Sequence, residues 1–260
     1  MQDIKLSKRL LKIADYIPKN KRIADIGSDH ALLVSYLISK EISLFAIAGE
    51  INEGPYNSSL KQTMNYNLGK KVSVRKGDGL EVIKQGEEID IIVIAGMGGM
   101  LIANILESGK EKLNNVERLI LQPNVGEKEV RIWLDNNHWS IVDEEILEED
   151  GQIYEIIVAE HRVDKLDPAY QVEFNNLFPR GKEDLYKVGP ILYEKKPEIL
   201  IYKWKMELKK VSYILKQLDK SFDENEKNIK KIEFQNDYRW IEEVIKCLQQ
   251  DNLLYKFSNN

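Results

Sequence analysis

Between Lys21 and about Ala159, short apolar runs of β type alternate with stretches of helical periodicity. The runs are RIADIG, LFAIAGEI, VSVRKG, DIIVIAG and RLILQPN, followed by WSIVDEEIL and IYEIIVAEH. Apolar strands separated by helical segments predict a parallel sheet with crossover helices. The last two runs flank Glu148-Glu-Asp-Gly151. An Asp-Gly pair between strands favours a hairpin turn, so the sheet is expected to end with an antiparallel strand.

The pattern changes after the sheet. Residues 161–198 are polar and hold Pro168, Pro179, Gly181, Gly189, Pro190 and Pro197, which predicts a linker with one short helix. No proline or glycine follows Pro197. Trp204, Leu208, Val211, Leu215, Leu218 and Phe222 then recur at spacings of four and three, the seam of a packed helix. A second helix is expected from Asp223, whose carboxylate can form a capping box with Glu226, and it carries Ile229, Ile232, Ile241, Val244, Ile245 and Leu248. An antiparallel helical pair fits this tail, and one long dimerising helix fits it as well. The expected domains are 1–165 (sheet), 166–198 (linker) and 199–260 (helical, coiled-coil-like).

Composition narrows the class. The 260 residues, 43% of them hydrophobic, suffice for a core. No apolar run approaches the roughly 18 residues of a membrane span, and MQDIKLSKRLLKIADYIP is charged and amphipathic, unlike a signal peptide. A soluble, cytoplasmic protein is expected. The single cysteine, Cys247, and three scattered histidines, His30, His138 and His161, provide no metal-ligand spacing, so neither metal nor membrane is expected among the partners. Residues 1–180 hold 22 Lys+Arg against 29 Asp+Glu, and residues 181–260 hold 16 against 14. An acidic chain gains no overall steering toward nucleic acid, although a local basic surface can still bind it.

The candidate chemistry begins in IADIGSDHALL, where Asp29 stands in place of the second glycine of a nucleotide-binding loop. A pyrophosphate there wants glycine amides, and a carboxylate would repel it by several kcal/mol, roughly, at intermediate dielectric. NAD, FAD and ATP are therefore disfavoured. S-adenosylmethionine has no phosphate but carries a sulfonium and an ammonium, and it suits an acidic loop. Asp25 hydrogen-bonds either this loop or the cofactor's amino-acid part, and Gly27 and Ser28 are candidate cofactor contacts beside it. Asp29 reads equally as the cap of the next helix, and the adjacent His30 has capping, packing and substrate-contact readings.

Glu50, 25 residues after Asp25, stands where an acid takes two ribose hydroxyls, or it is an exposed glutamate at a strand end. Asp78 and Gly79 in Lys76-Gly-Asp-Gly79 stand where adenine would be held, or they form a simple turn. Ala95, Gly96, Met97 and Gly98 end the fourth strand. Their glycines let backbone approach a flat substrate, with Gly96 a candidate catalytic contact; a helix-entry loop accounts for Gly98 and Gly99 equally well. Methyltransferases acting on exocyclic amines usually carry an Asn/Asp/Ser-Pro-Pro-aromatic loop here, which is missing, so a ring nitrogen is the better target. Gln122 and Asn124 close the fifth strand as an amide pair able to read a base edge, or as an Asx-type turn. Five parallel strands, a terminal hairpin and this acidic cleft together predict a Rossmann-like methyltransferase sheet, parallel with one antiparallel strand, plus the helical C-terminal domain.

LSKRL, ADIGSDHA, AGE with Gly54-Pro55 beyond it, GDGLEVI, IAGMGG, LILQPN and LEEDGQIYE resemble, in order from about Leu6 to Glu160, the bacterial tRNA (adenine-22-N1)-methyltransferase family. The resemblance implies S-adenosylmethionine as cofactor and tRNA as partner, with N1 of one adenine as the acceptor. It departs at Leu32 and Val34, where the family commonly has tyrosine and proline. Adenine N1 is unprotonated near neutral pH and needs no strong base; its placement at about 3–3.5 Å from the methyl carbon is the main requirement, after the nucleotide is opened from its stem. Asp29, Gly96 and Asn124 are then the candidate catalytic residues, with Lys8 and Arg9, His30, Gln122 and Asn124 as substrate contacts. A monomer is expected. The residues alone also allow a methyltransferase of another substrate or a cofactor-binding protein without catalysis.

Overall fold

The apolar runs become strands β1 (Lys21–Ile26), β2 (Ser43–Glu50), β3 (Val72–Lys76), β4 (Ile91–Gly98), β5 (Arg118–Val125), β6 (Trp139–Glu149) and β7 (Gln152–His161). They form one sheet in the order β3-β2-β1-β4-β5-β7-β6. Strands β1 to β5 pair in parallel, and β7 runs antiparallel to both β5 and β6. This computed structural model describes residues 4–162, 167–171, 178–218 and 224–258, with backbone only for 224–228 and 251–258.

The central strands read as continuous apolar runs because helices cover them. Ile23, Ala24, Ile91, Ile92, Val93, Ile94, Leu119, Ile120 and Leu121 are all buried. The helices are α1 (Lys8–Asp15), α2 (Leu32–Ser39), α3 (Glu53–Asn65), α4 (Gly99–Ser108) and α5 (Glu127–Asn136). Helix α1 starts at Ser7, whose hydroxyl accepts the Leu10 amide at 3.2 Å. It buries Ile13 and Ala14 in the same cluster as Leu33, Val34, Leu37 and Ile91. Between β6 and β7 the turn is Asp150-Gly151, both at positive φ (51° and 76°), the two-residue hairpin expected of that pair.

A buried ion cluster joins α5 to the hairpin strands. Arg131, fully buried, bonds Glu144 at 2.7 Å and Glu155 at 2.5 Å, both also buried. Burial works against the arginine's charge, but the two carboxylates hold it protonated.

The chain divides into two compact units, Met1–Gln171 and Val172–Asn260. In the second, the expected linker with one short helix contains two, α6 (Lys182–Val188) and α7 (Pro190–Lys195). Gly181, Gly189 and Pro190 punctuate these helices without unfolding the segment: Pro190 occupies the first turn of α7, where its missing N–H costs nothing. Beyond them, two separate helices, α8 (Glu198–Leu218) and α9 (Glu224–Ser258), pack on each other. Trp204, Val211, Ile241, Val244, Ile245 and Leu248 are buried as the seam predicts, while Leu208, Leu215 and Leu218 are half-buried. Ile229 and Ile232 are instead exposed, at 65% and 58%. The stripe on α9 is covered around Trp240, which packs on Trp204 and Phe178 and donates to Asp184, and these two isoleucines precede that region. Phe222 and the proposed capping box of Asp223 and Glu226 fall outside the described residues or side chains.

Candidate active site

The carboxyl ends of β1 to β5 lie side by side, and open α/β sheets bind ligands there. The loop after β1 is tied to β2: the amides of Gly27 and Ser28 donate to the Gly49 carbonyl at 2.9 and 3.3 Å. Gly27 is favoured by its backbone, and Met97 lies against it. The Gly27 φ is 71°, and an added Cβ would lie 2.1 Å from the Met97 methyl carbon. Met97 thus lies across the loop after β1, so the turns after β1 and β4 share one surface.

Asp29, His30 and Ala31 all take left-handed backbone, at φ 36°, 64° and 54°, a conformation that costs energy in residues with a Cβ and gathers at functional sites. Helix α2 then begins from Ala31, with no side chain capping it. The cap reading of Asp29 and His30 therefore fails: the left-handed run turns the chain before the helix starts. Both side chains are exposed, 83% for Asp29 and 56% for His30, and they pair with each other at 3.3 Å. Of the two residues where the sequence departs from the usual family form, Val34 is buried and Leu32 half-buried.

Asp25 is buried and accepts the Ser28 hydroxyl at 2.6 Å. Burial pushes its carboxyl up to about 7, with the Ser28 hydrogen bond opposing and Glu50 adding to the rise. The Glu50 carboxyl, at the end of β2, is also raised by burial, with the neighbouring Asp29 amide opposing the rise. Its Oε1 is buried with no hydrogen-bond partner among the described residues. Buried polar atoms are nearly always paired, so a lone acceptor at a cleft points to a donor supplied by a ligand. Next to it, the Gly77 amide donates to the Glu50 carbonyl at 3.0 Å, which places Asp78 one strand over. Asp78 and Gly79 line a pocket of about 270 Å³ with Leu101, Asn104 and Ile105 of α4. Three acids at adjacent strand ends can therefore accept from a cation, from hydroxyls and from a ring amine.

The ends of β4 and β5 are joined through side chains. The buried Gln122 accepts at Oε1 from the Gly96 amide at 3.1 Å and from the Arg9 guanidinium. Its Nε2 donates to the Pro123 carbonyl at 2.8 Å and to Asn124 Oδ1 at 3.2 Å. All four hydrogen-bonding positions of this amide are thus used, and Gln122 itself has none left for a base edge. Asn124 is exposed and donates through Nδ2 to the Gly96 carbonyl at 2.9 Å, which replaces the local Asx-turn reading with a bond across strands. Gly99, at the start of α4, leaves no room for a side chain because an added Cβ would fall 1.7 Å from the Gly126 carbonyl oxygen. The packing reading therefore holds for Gly99. It does not extend to Gly98, which has open space where a Cβ would be.

The sequence pattern missed the position of Arg9. Glu149, in the hairpin, accepts the backbone amides of Lys8 and Arg9. The helix start docked there carries the Arg9 guanidinium to Gln122 and over the Tyr154 ring at 5.2 Å. Tyr154 had no assigned role, and no spacing connects residue 9 with residues 122 and 154. Lys8 is exposed and contributes only its backbone to this arrangement. Four large apolar side chains, Ile51, Met100, Leu101 and Val125, stand exposed just beyond or at the ends of β2, β4 and β5; apolar side chains at the mouth of a polar cleft suit flat, partly apolar ligands. Among the described residues no group of His, Cys, Asp and Glu could hold a metal ion, and no helix is long and apolar enough to cross a membrane.

Strand order, a hairpin-terminated parallel sheet and acids at three successive strand ends define the Rossmann-like methyltransferase class. Comparison with known proteins narrows this: the family model for TrmK, tRNA (adenine(22)-N(1))-methyltransferase, matches residues 23–243, and the chain belongs to that family. It is 44% identical over 245 residues to the tRNA (adenine(22)-N(1))-methyltransferase of Bacillus subtilis, covering 94% of this chain and 99% of the relative. The crystal structure of the B. subtilis m1A22 tRNA methyltransferase TrmK superposes with a TM-score of 0.81 at 45% identity, covering 93% and 99% of the two chains. A Streptococcus pneumoniae protein described as a putative tRNA (m1A22) methyltransferase, solved in complex with S-adenosyl-L-methionine, gives a TM-score of 0.77 at 36% identity, covering 93% and 100%.

Proposed function

We propose that this chain is an S-adenosylmethionine-dependent enzyme that methylates N1 of adenine 22 in tRNA. The observation that carries the reading is the unpartnered Oε1 of Glu50, buried between two other acids in a cleft of a family member related over nearly its whole length. S-adenosylmethionine supplies an electrophilic methyl group on a sulfonium. The residues fit it. Asp25 accepts from its ammonium, Glu50 from its ribose hydroxyls, and Asp78 with Gly79 holds the adenine edge beside α4. Gly27 and Ser28, with Ala95 to Gly98, form the walls, the Met97 side chain lying against Gly27.

The chain then has three tasks. It positions the target base, and Gly96, Asn124 and their partners do that. It keeps N1 free, since a neutral adenine N1 already holds the lone pair that attacks and no base is needed. It also stabilises the positive charge left on the ring, for which the exposed Asp29 carboxylate is the candidate. Lys8 and the lysines of α8 are the proposed phosphate contacts, the Arg9 guanidinium being engaged by Gln122 and the Tyr154 ring, and the proposed compartment is the cytoplasm. Incubation with labelled S-adenosylmethionine and bacterial tRNA, followed by nucleoside analysis and mapping, tests the reading. N1-methyladenosine at position 22 is expected; label in any other nucleoside, or none, overturns it.

A further inference from the structure

We propose that Asn124 selects adenine by reading the N6 and N7 edge of the base, and that Arg9 is the positioning residue that sets the direction of the Asn124 amide. The inference rests on the functional reading above. It starts from a count of hydrogen bonds. Asn124 gives one N–H to the Gly96 carbonyl and takes one from Gln122 on its oxygen. A carboxamide has two of each, so one donor and one acceptor remain on an exposed side chain.

Those two groups match adenine in only one way that permits the reaction. If the amide paired with N1 and N6, its N–H would occupy the lone pair that must attack. Pairing with N6 and N7, the usual bidentate match of asparagine to adenine, leaves N1 bare. It also rejects guanine, whose O6 would face the amide oxygen. The match holds only while the oxygen and nitrogen of Asn124 stay in their places, and an isolated asparagine can flip.

The structure removes that freedom through a chain of fixed groups. The Gly96 amide and the Arg9 guanidinium both donate to Gln122 Oε1, which forces its Nε2 toward Asn124. The Gln122 N–H makes the facing Asn124 atom an oxygen. The Gly96 carbonyl makes the other a nitrogen. Arg9 is itself held, by its place over the Tyr154 ring and by its backbone bond to Glu149 at 3.3 Å. Arg9 therefore acts on the base through two amides without touching it.

The test uses the full chain and two tRNAs that differ by one atom, adenosine or 7-deazaadenosine at position 22. The deaza base keeps N1 and the exocyclic amine and loses only the N7 acceptor. Single-turnover methylation by the wild type should be about tenfold slower on the deaza tRNA, the cost of one hydrogen bond to the base. Asn124→Ala should methylate both tRNAs slowly and at equal rates. Arg9→Met should lower the rate on adenosine and shrink the difference between the two tRNAs toward one, with unchanged S-adenosylmethionine affinity and KM for tRNA; Arg9→Lys should restore part of it. Equal wild-type rates on both tRNAs overturn the reading of the N7 edge, and an Arg9→Met enzyme that keeps the full tenfold difference overturns the positioning role. If adenosine 22 gains no N1-methyl group at all, the functional reading falls and this inference with it, a result distinct from the other two.

Discussion

The backbone amide of Gly27 donates a hydrogen bond to the Gly49 carbonyl at 2.9 Å, so the loop after the first strand is pinned to the end of the second by main chain, and the exposed Asp29 side chain, beside His30 at 3.3 Å, takes no part in that tie. Asp29→Asn therefore keeps the loop and removes only charge. Single-turnover methylation at saturating cofactor and tRNA should fall by one to three orders of magnitude, about 1.4–4 kcal/mol of transition-state stabilisation. A folded variant with the wild-type rate would leave the cleft without a catalytic carboxylate.

Glu50→Ala removes a buried carboxylate oxygen that has no hydrogen-bond partner among the described residues. Cofactor affinity should drop by about 1–3 kcal/mol while the melting temperature of the free protein hardly moves, because an unpaired buried carboxylate adds little to the fold. Calorimetric titration checks the first part and thermal unfolding the second. Unaltered affinity would remove the ribose assignment.

Asp25 gives a pH signature. Its carboxyl titrates near 7 in the folded protein because it is buried, well above an unfolded aspartate at roughly 3.9. The free fold thus holds a proton that the unfolded chain releases, and stability from this group declines as pH rises from about 4 to 7. A cationic ligand favours the ionised form, so cofactor affinity should rise over the same interval, with proton release on binding near pH 6.5. Asp25→Asn should abolish both trends. Proton release on binding, measured in buffers of different ionisation enthalpy, decides it; binding of S-adenosylmethionine that is insensitive to pH in the wild type would contradict the assignment.

Arg131→Met leaves Glu144 and Glu155 buried without their shared counter-charge. The expected loss is about 3–5 kcal/mol of stability, the usual result of breaking a buried pair from one side. Urea unfolding measures it. A loss below 1 kcal/mol would mean that water reaches these carboxylates.

Residues 1–171 alone should bind S-adenosylmethionine with the affinity of the full chain and methylate tRNA poorly, since every residue assigned to the cofactor lies in the first unit. Binding and methylation assays on the truncated chain separate the two. Full activity toward tRNA would remove the second unit from substrate recognition.

The strands were legible because each is a closed pattern: an apolar run, a turn signal, a helical stretch. The acids at 25, 50 and 78 were legible for the same reason, since each stands at or just past the end of its own strand and the sheet aligns strand ends. What the pattern did not hold is whatever depends on two distant segments. That Gln122 is saturated follows from the meeting of β4, β5 and α1, and nothing local to LQPN announces it. The left-handed run at 29–31 was hidden because Asp and His tolerate that backbone no worse than they cap a helix. Ile229 and Ile232 carry the right spacing for a seam, but spacing cannot say how much of the stripe is covered.

The bond from the Arg9 amide to Glu149 spans 140 residues of chain, and it gives the enzyme an order of assembly. Every cofactor contact can form once the five parallel strands have emerged, but the base pocket waits for the hairpin, the last part of the sheet to be made. Contacts this remote in sequence are the slow ones to close. A chain still on the ribosome would hold its methyl donor before it could discriminate a base, and one clipped ahead of residue 10 would stay in that unfinished state for good.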